Sequence, residues 1–217
     1  MNIVFAYPTG LNPQKGGVER ITDIIAKILL KRGYTIFYLN WKREQDNYEY
    51  PVPVIDLPSS NLEDPNNLEV YNRFLKENRI DVIINQHGLY EGTYFLSQVK
   101  VQNVKIISVL HSDPFGYYNH LFADLMTLRD SSIKEKVKRV ARFFLYRKVK
   151  KIIHRSLVNH YTFIQEHPQY VCLLSESYKE RLEEYCDLPD NYFISIPNPN
   201  TYENIEIIPH KKGLYAA

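Results

Sequence analysis

Apolar and polar positions recur along this chain with two periods, and those periods divide it into strands and helices. Asn2-Ile3-Val4-Phe5-Ala6-Tyr7 is an apolar run too short for a helix, which predicts a buried strand. Tyr7 to Lys15 holds two prolines and a glycine and reads as a loop. From Val18 the spacing turns helical, with Val18, Ile21, Ile24, Ile25, Ile28 and Leu29 on one face and Gly33 as the C-terminal stop. Tyr34 to Asn40 predicts a second strand. Val52 to Leu57, set among Pro51, Pro53 and Pro58, predicts a short third strand near a sheet edge. Asp64-Pro65 opens a helix that runs to about Asn78.

The alternation of the two periods continues to the far end. Strands are predicted at Ile80–Asn85, Lys105–Leu110, Tyr170–Leu174 and Tyr192–Ile196, and helices at Gly92–Lys100, within Phe115–Thr127, at Ile133–Arg155 continuing through His154–Gln165, and at Glu176–Cys186. Strand, loop, glycine pair and helix form the opening unit of a doubly wound fold. The whole pattern predicts one α/β domain around a mainly parallel sheet of about seven strands flanked by helices.

Composition narrows the class. With 44% hydrophobic and 24% charged residues, the chain has the makeup of a globular protein with one sizeable core, and no run approaches a membrane span. The N-terminus starts directly with strand-like residues, so no signal peptide is expected. Cys172 and Cys186 have neither metal-ligand spacing nor a disulfide framework, and a reducing, cytoplasmic setting is expected, with Cys172 inert in the core. A net charge of +2 gives no sign of a nucleic-acid partner. No metal site is expected.

Candidate chemistry gathers at the carboxyl ends of the predicted strands, where open α/β sheets bind ligands. Gly16 and Gly17 at the start of the first helix would let a backbone approach an anion, or would only make a tight turn. The Gly-x-Gly-x-x-Gly and P-loop spacings are both absent. His87 and His111 follow the fourth and fifth strands, where a side chain faces the crevice; a structural histidine is the bland alternative for each. Ser112-Asp113-Pro114 reads as an ordinary turn, with a tuning role for Asp113 as the alternative, and Ser175 is placed to cap the following helix.

Gly16-Gly17-Val18-Glu19-Arg20 after an N-terminal strand resembles the opening of GT-B glycosyltransferases of family 4, which are retaining and use nucleotide-sugar donors. Ser108-Val109-Leu110-His111-Ser112-Asp113, Leu173 to Tyr178, and Ile194 to Asn200 resemble later stretches of that family in the same order. The resemblance implies a Rossmann-like, acceptor-binding N-terminal domain over residues 1–200, with 201–217 beginning a crossover to a second, nucleotide-sugar-binding domain that would be the chain's main partner. It implies no cofactor beyond the nucleotide-sugar substrate. Gly16, Gly17, Glu19, Arg20, His87, Asp113 and Ser175 become donor- or acceptor-binding candidates, and His111 becomes the catalytic candidate. The implied activity is sugar transfer to a glycan or glycolipid in bacterial surface-polysaccharide or lipopolysaccharide synthesis, with this chain alone inactive. A stand-alone α/β binding module without catalysis is the first alternative, and another Rossmann-like enzyme, such as an epimerase relative of the GT-B architecture, is the second.

One stretch departs from a minimal α/β unit. Ile133 to Arg155 carries ten Lys or Arg against one acid, Glu135, with Ile133, Val137, Val140, Ala141, Phe144, Val149 and Ile152 at three- and four-residue steps. Its apolar stripe could pack on the domain and leave a solvated basic face, or it could lie on an anionic membrane surface through Lys138, Arg142, Lys148, Lys150 and Lys151; nucleic-acid binding is a third and weaker reading, since no recognition motif accompanies the patch. The second reading would place the protein in the cytoplasm, peripheral at the inner face of the plasma membrane.

Overall fold

A computed structural model of the chain describes residues 1–42, 47–88, 91–126, 133–167, 169–184, 187 and 189–197. The elements in order are β1 (Asn2–Tyr7), α1 (Gly17–Lys31), β2 (Thr35–Asn40), β3 (Val54–Asp56), α2 (Pro65–Glu77), β4 (Val82–Asn85), α3 (Glu91–Leu96), β5 (Lys105–Leu110), α4 (Gly116–Met126), α5 (Ile133–Glu166), β6 (Tyr170–Leu173), α6 (Ser177–Glu183) and β7 (Phe193–Ser195). All seven strands are parallel, in the order β3-β2-β1-β4-β5-β6-β7. The single Rossmann-like sheet expected from the sequence is therefore present, and β3, with its flanking prolines, lies at an edge. The chain winds one way from β1 to β3, then returns to β4 and winds the other way. That reversal places the topological switch point at the carboxyl ends of β1 and β4.

Helix ends follow local chemistry. Asp64 caps α2 by accepting from the Asn66 N–H at 2.9 Å, with Pro65 in the first turn, where a missing N–H does no harm. Gly33, at φ +83°, closes α1: the Tyr34 N–H reaches the Leu29 carbonyl and the Gly33 N–H the Leu30 carbonyl. The helix predicted at 92–100 is shorter, Glu91–Leu96, and the one predicted to reach Cys186 stops at Glu183. The two helical stretches predicted after Ile133 are one helix of 34 residues. Cys186 and residues 198–217 lie outside the described residues; Cys172 is buried and free.

Side chains from alternate positions of each strand go to opposite faces. Val4, Ala6, Leu39 and Ile83 pack with Tyr71, Phe74, Leu75 and Phe95 of α2 and α3. Ile3, Phe5, Ile36 and Tyr38 pack with Ala26, Ile25 and Leu29 of α1 on the other face. A third cluster joins Leu110, Val171 and Leu173 to Leu157, Tyr161 and Ile164 of α5. The α1 stripe is rotated from the predicted one. Glu19, Thr22 and Asp23 are buried while Ile28 is exposed; Thr22 donates to the Val18 carbonyl at 2.7 Å and Asp23 Oδ2 pairs with Lys27 at 2.7 Å, which offsets part of the cost of burying them.

Candidate active site

A cleft of about 210 Å³ opens at the switch point. Tyr7 from the end of β1, Val18 from the first turn of α1, Gln86, His87 and Gly88 after β4, and His111 after β5 line it. The 86–88 turn continues the sheet by one bond, the Gln86 N–H donating to the Ala6 carbonyl at 2.9 Å. Gly88 lies so close under β5 that a Cβ there would sit 2.4 Å from the Val109 carbonyl oxygen. This is a position where only glycine fits without backbone movement.

His111 Nε2 meets Gln86 Oε1 at 2.6 Å. An amide oxygen only accepts, so the ring proton resides on Nε2 and Nδ1 keeps its lone pair. Burial lowers the His111 pKa, so the ring is neutral at ordinary pH. His87 lies edge-on between Tyr7 and Trp41, with ring centroids 6.3 and 6.5 Å away. The Tyr7 hydroxyl is pushed up by burial and then by the Glu19 carboxylate, so it remains a neutral donor. Gln86 and His111 also wall off an apolar hollow of about 170 Å³ on the α1 face, lined by Val109, Cys172 and Ile194 among others.

The helix N-terminus beside the cleft is built differently from the sequence picture. Gly16 is the N-cap, in extended backbone with no side-chain cap, and the Glu19 carboxylate turns back over it; a Cβ on Gly16 would lie 2.4 Å from Glu19 Oε2. A carboxylate thus already sits by the positive end of the α1 dipole. Gly17 faces open space, and Arg20 is exposed.

Asp113 and Ser175 are engaged away from the cleft lining. Asp113 makes the turn that the sequence favours, with Oδ1 accepting from the Phe115 N–H at 2.9 Å, while Oδ2 pairs with Arg181 of α6. Against the expectation that it caps α6, the Ser175 side chain makes no cap: its hydroxyl pairs with the Ser177 hydroxyl at 2.9 Å, and its carbonyl accepts from the Tyr178 N–H. The early turn shape at Glu176, already in helical backbone, removes the extended N-cap geometry that a serine cap requires. Gln86, the partner of His111, escaped the sequence reading because a strand-end glutamine carries no motif; its position beside His87 was the only signal.

Of the readings open for the basic stretch of α5, packing of its apolar stripe on the domain is the one that the structure does not bear out. Val137, Val140, Phe144 and Ile152 are 64%, 57%, 78% and 58% exposed. Lys138, Lys148 and Lys151 are exposed beside them, whereas Lys150 lies over the Tyr118 ring at 4.8 Å from its centroid. The side chain of Arg142 is outside the described residues. Phe122 and Tyr118 of α4 provide the packing for this half, through Phe143, Tyr146 and His154. Among the described residues no helix is long and apolar enough to cross a membrane, and no group of three His, Cys, Asp or Glu is gathered to hold a metal.

An open parallel sheet with a cleft at its switch point defines an α/β domain of the Rossmann-like class. The family model for Glycosyltransferase Family 4 matches residues 15–199, and the chain belongs to that family. None of the curated proteins compared matches it. Among solved structures, the AMP-bound Kef C-terminal domain of Shewanella denitrificans is 10% identical, covering 85% of this chain and 99% of that one at a TM-score of 0.35. A candidate epimerase from Burkholderia cenocepacia J2315 is 13% identical, covering 79% and 52% at a TM-score of 0.36. Likenesses at these scores carry no functional argument.

Proposed function

We propose that this chain is the acceptor-side domain of a retaining glycosyltransferase that moves a sugar from a nucleotide-sugar to a glycan or glycolipid of the bacterial surface. The observation that carries the reading is the His111–Gln86 pair at the switch-point cleft, inside the region that the family model matches. A neutral imidazole whose Nε2 proton is engaged by Gln86 offers Nδ1 as an acceptor, which suits a sugar hydroxyl and not a phosphate. Tyr7, kept protonated, adds a donor to the lining. Such groups orient a sugar or an acceptor hydroxyl for attack at the anomeric carbon, and orientation of this kind is worth large factors in rate.

The nucleotide-sugar diphosphate takes most of its affinity from a second, nucleotide-sugar-binding domain. With Glu19 lying over Gly16, the open side of Gly17 is where its phosphates approach this half. The exposed apolar and basic face of α5 rests on the anionic cytoplasmic leaflet, which would bring a glycolipid acceptor within reach.

The test uses the enzyme with its donor-binding domain, a panel of radiolabelled nucleotide-sugars and bacterial membrane lipid. Label should pass from one donor into lipid or glycan, and His111→Ala should lower kcat/KM about a hundredfold, a melting curve showing that the variant stays folded at the assay temperature. The 217-residue chain alone should give no transfer. Full activity in the His111→Ala enzyme would remove the cleft from the reaction, and no transfer from any donor would overturn the activity itself.

A further inference from the structure

Asn85, the last residue of β4, is completely buried and lies in register with Ser108 of β5. Interior positions of a parallel sheet covered on both faces are ordinarily apolar, so a buried Asn–Ser pair there requires a reason. The Asn85 side chain uses both of its ends. Oδ1 accepts from the His87 N–H at 3.0 Å, and Nδ2 donates to Thr93 Oγ1 at 3.1 Å and to Ser108 Oγ at 3.3 Å. Ser108 donates onward to Gln169 Oε1 at 2.8 Å. All four side chains are 2% exposed or less, and they come from β4, α3, β5 and the approach to β6.

The element that this chain of bonds holds is the 86–88 turn. Once the strand has ended, the His87 N–H has no ladder partner, and a buried N–H without one would be costly. Asn85 supplies it. Next to His87, Gly88 is pressed on the Val109 carbonyl, and His160 of α5, 1% exposed, meets the Gly88 main chain from below. The turn is thus held on each side, and it carries Gln86 to within 2.6 Å of His111. Asn85 itself does not line the cleft.

We infer that Asn85 is a positioning residue of the cleft: anchored by Thr93 and by the Ser108–Gln169 pair, it fixes the 86–88 turn so that Gln86 holds the His111 ring in one tautomer and orientation. The inference rests on the reading of this cleft as the functional site, but its geometry is measurable without any substrate.

The experiment follows the histidine ring signals and the backbone amides of the ¹⁵N-labelled full chain by NMR, with thermal melts alongside. Asn85→Leu removes both ends of the side chain at similar volume, Thr93→Val removes one anchor isosterically, and Thr93→Ser restores its hydroxyl. In Asn85→Leu and Thr93→Val the His87 and Gly88 amides should shift, and exchange of the His111 Nε2 proton should quicken about tenfold, the equivalent of one lost hydrogen bond. Thr93→Ser should return the original spectrum. Variants that melt lower yet keep the original His111 and His87 signals would reduce the network to core filling and overturn the inference. If Asn85→Leu does not fold, Thr93→Val decides. Absence of sugar transfer would leave these signals unmoved, so the two readings fail separately.

Discussion

Two glycines and one histidine show what single residues contribute in and around this cleft. Gly88 and Gly16 would each bring a new Cβ within 2.4 Å of an oxygen, but the oxygens differ in kind. At Gly88 it belongs to the Val109 backbone in the sheet, which has nowhere to go; at Gly16 it is the tip of the Glu19 side chain, which can swing out. Gly88→Ala should therefore lower stability by about 1–3 kcal/mol, the usual range for overpacking, while Gly16→Ala should change it by less than about 1 kcal/mol in urea titration. Equal losses would show that the turn yields more easily than its packing suggests. His160 adds a pH dependence. Burial lowers its pKa to about 4, against about 6.5 in the unfolded chain. Between those values the unfolded chain binds the additional proton, so stability falls as pH drops from 6.5 towards 4, by at most about 3 kcal/mol, and is unaffected above about pH 7. His111 contributes with the same sign. Replacing His160 with Gln should flatten the acid limb of ΔG against pH; an unchanged slope would place the titration elsewhere.

Among the elements, α5 has two stretches in different surroundings. Leu157, Tyr161 and Ile164 anchor its second half in the core, while its first half packs on α4 and presents Val140, Phe144 and Ile152 together with Lys138, Lys148 and Lys151. Exposed aromatic and aliphatic side chains next to lysines are what an anionic bilayer surface takes up, each basic residue adding roughly 1 kcal/mol. Charge reversal of Lys138, Lys148 and Lys151 to Glu should cut co-sedimentation with anionic vesicles about a hundredfold at low salt, and Phe144→Ser should weaken it independently of salt. Lys150 is left out because it is held over Tyr118. Binding to neutral and anionic vesicles alike, or to neither, would dismiss the membrane role. The sequence displayed this helix plainly through its charge and spacing. It could not say which side its apolar residues face, since the same periodicity serves a packed stripe and an exposed one.

For the molecule as a whole, the order of strands and helices was legible because the two periods of hydrophobicity are local properties of the chain, and a buried parallel strand such as β1 has to be apolar along its length. The edge position of β3 followed from its prolines, and the starts and stops of α1 and α2 from Gly33 and Asp64-Pro65. Position at the ends of strands was enough to bring His87 and His111 to one crevice. What the sequence did not contain was the set of contacts between residues far apart in it. Gln86 against His111, Asn85 against Ser108 and Asp113 paired with Arg181 are each decided by how elements come together, and none has a local signature. Short-range patterning determined the elements and their class; long-range packing alone decided which polar groups meet.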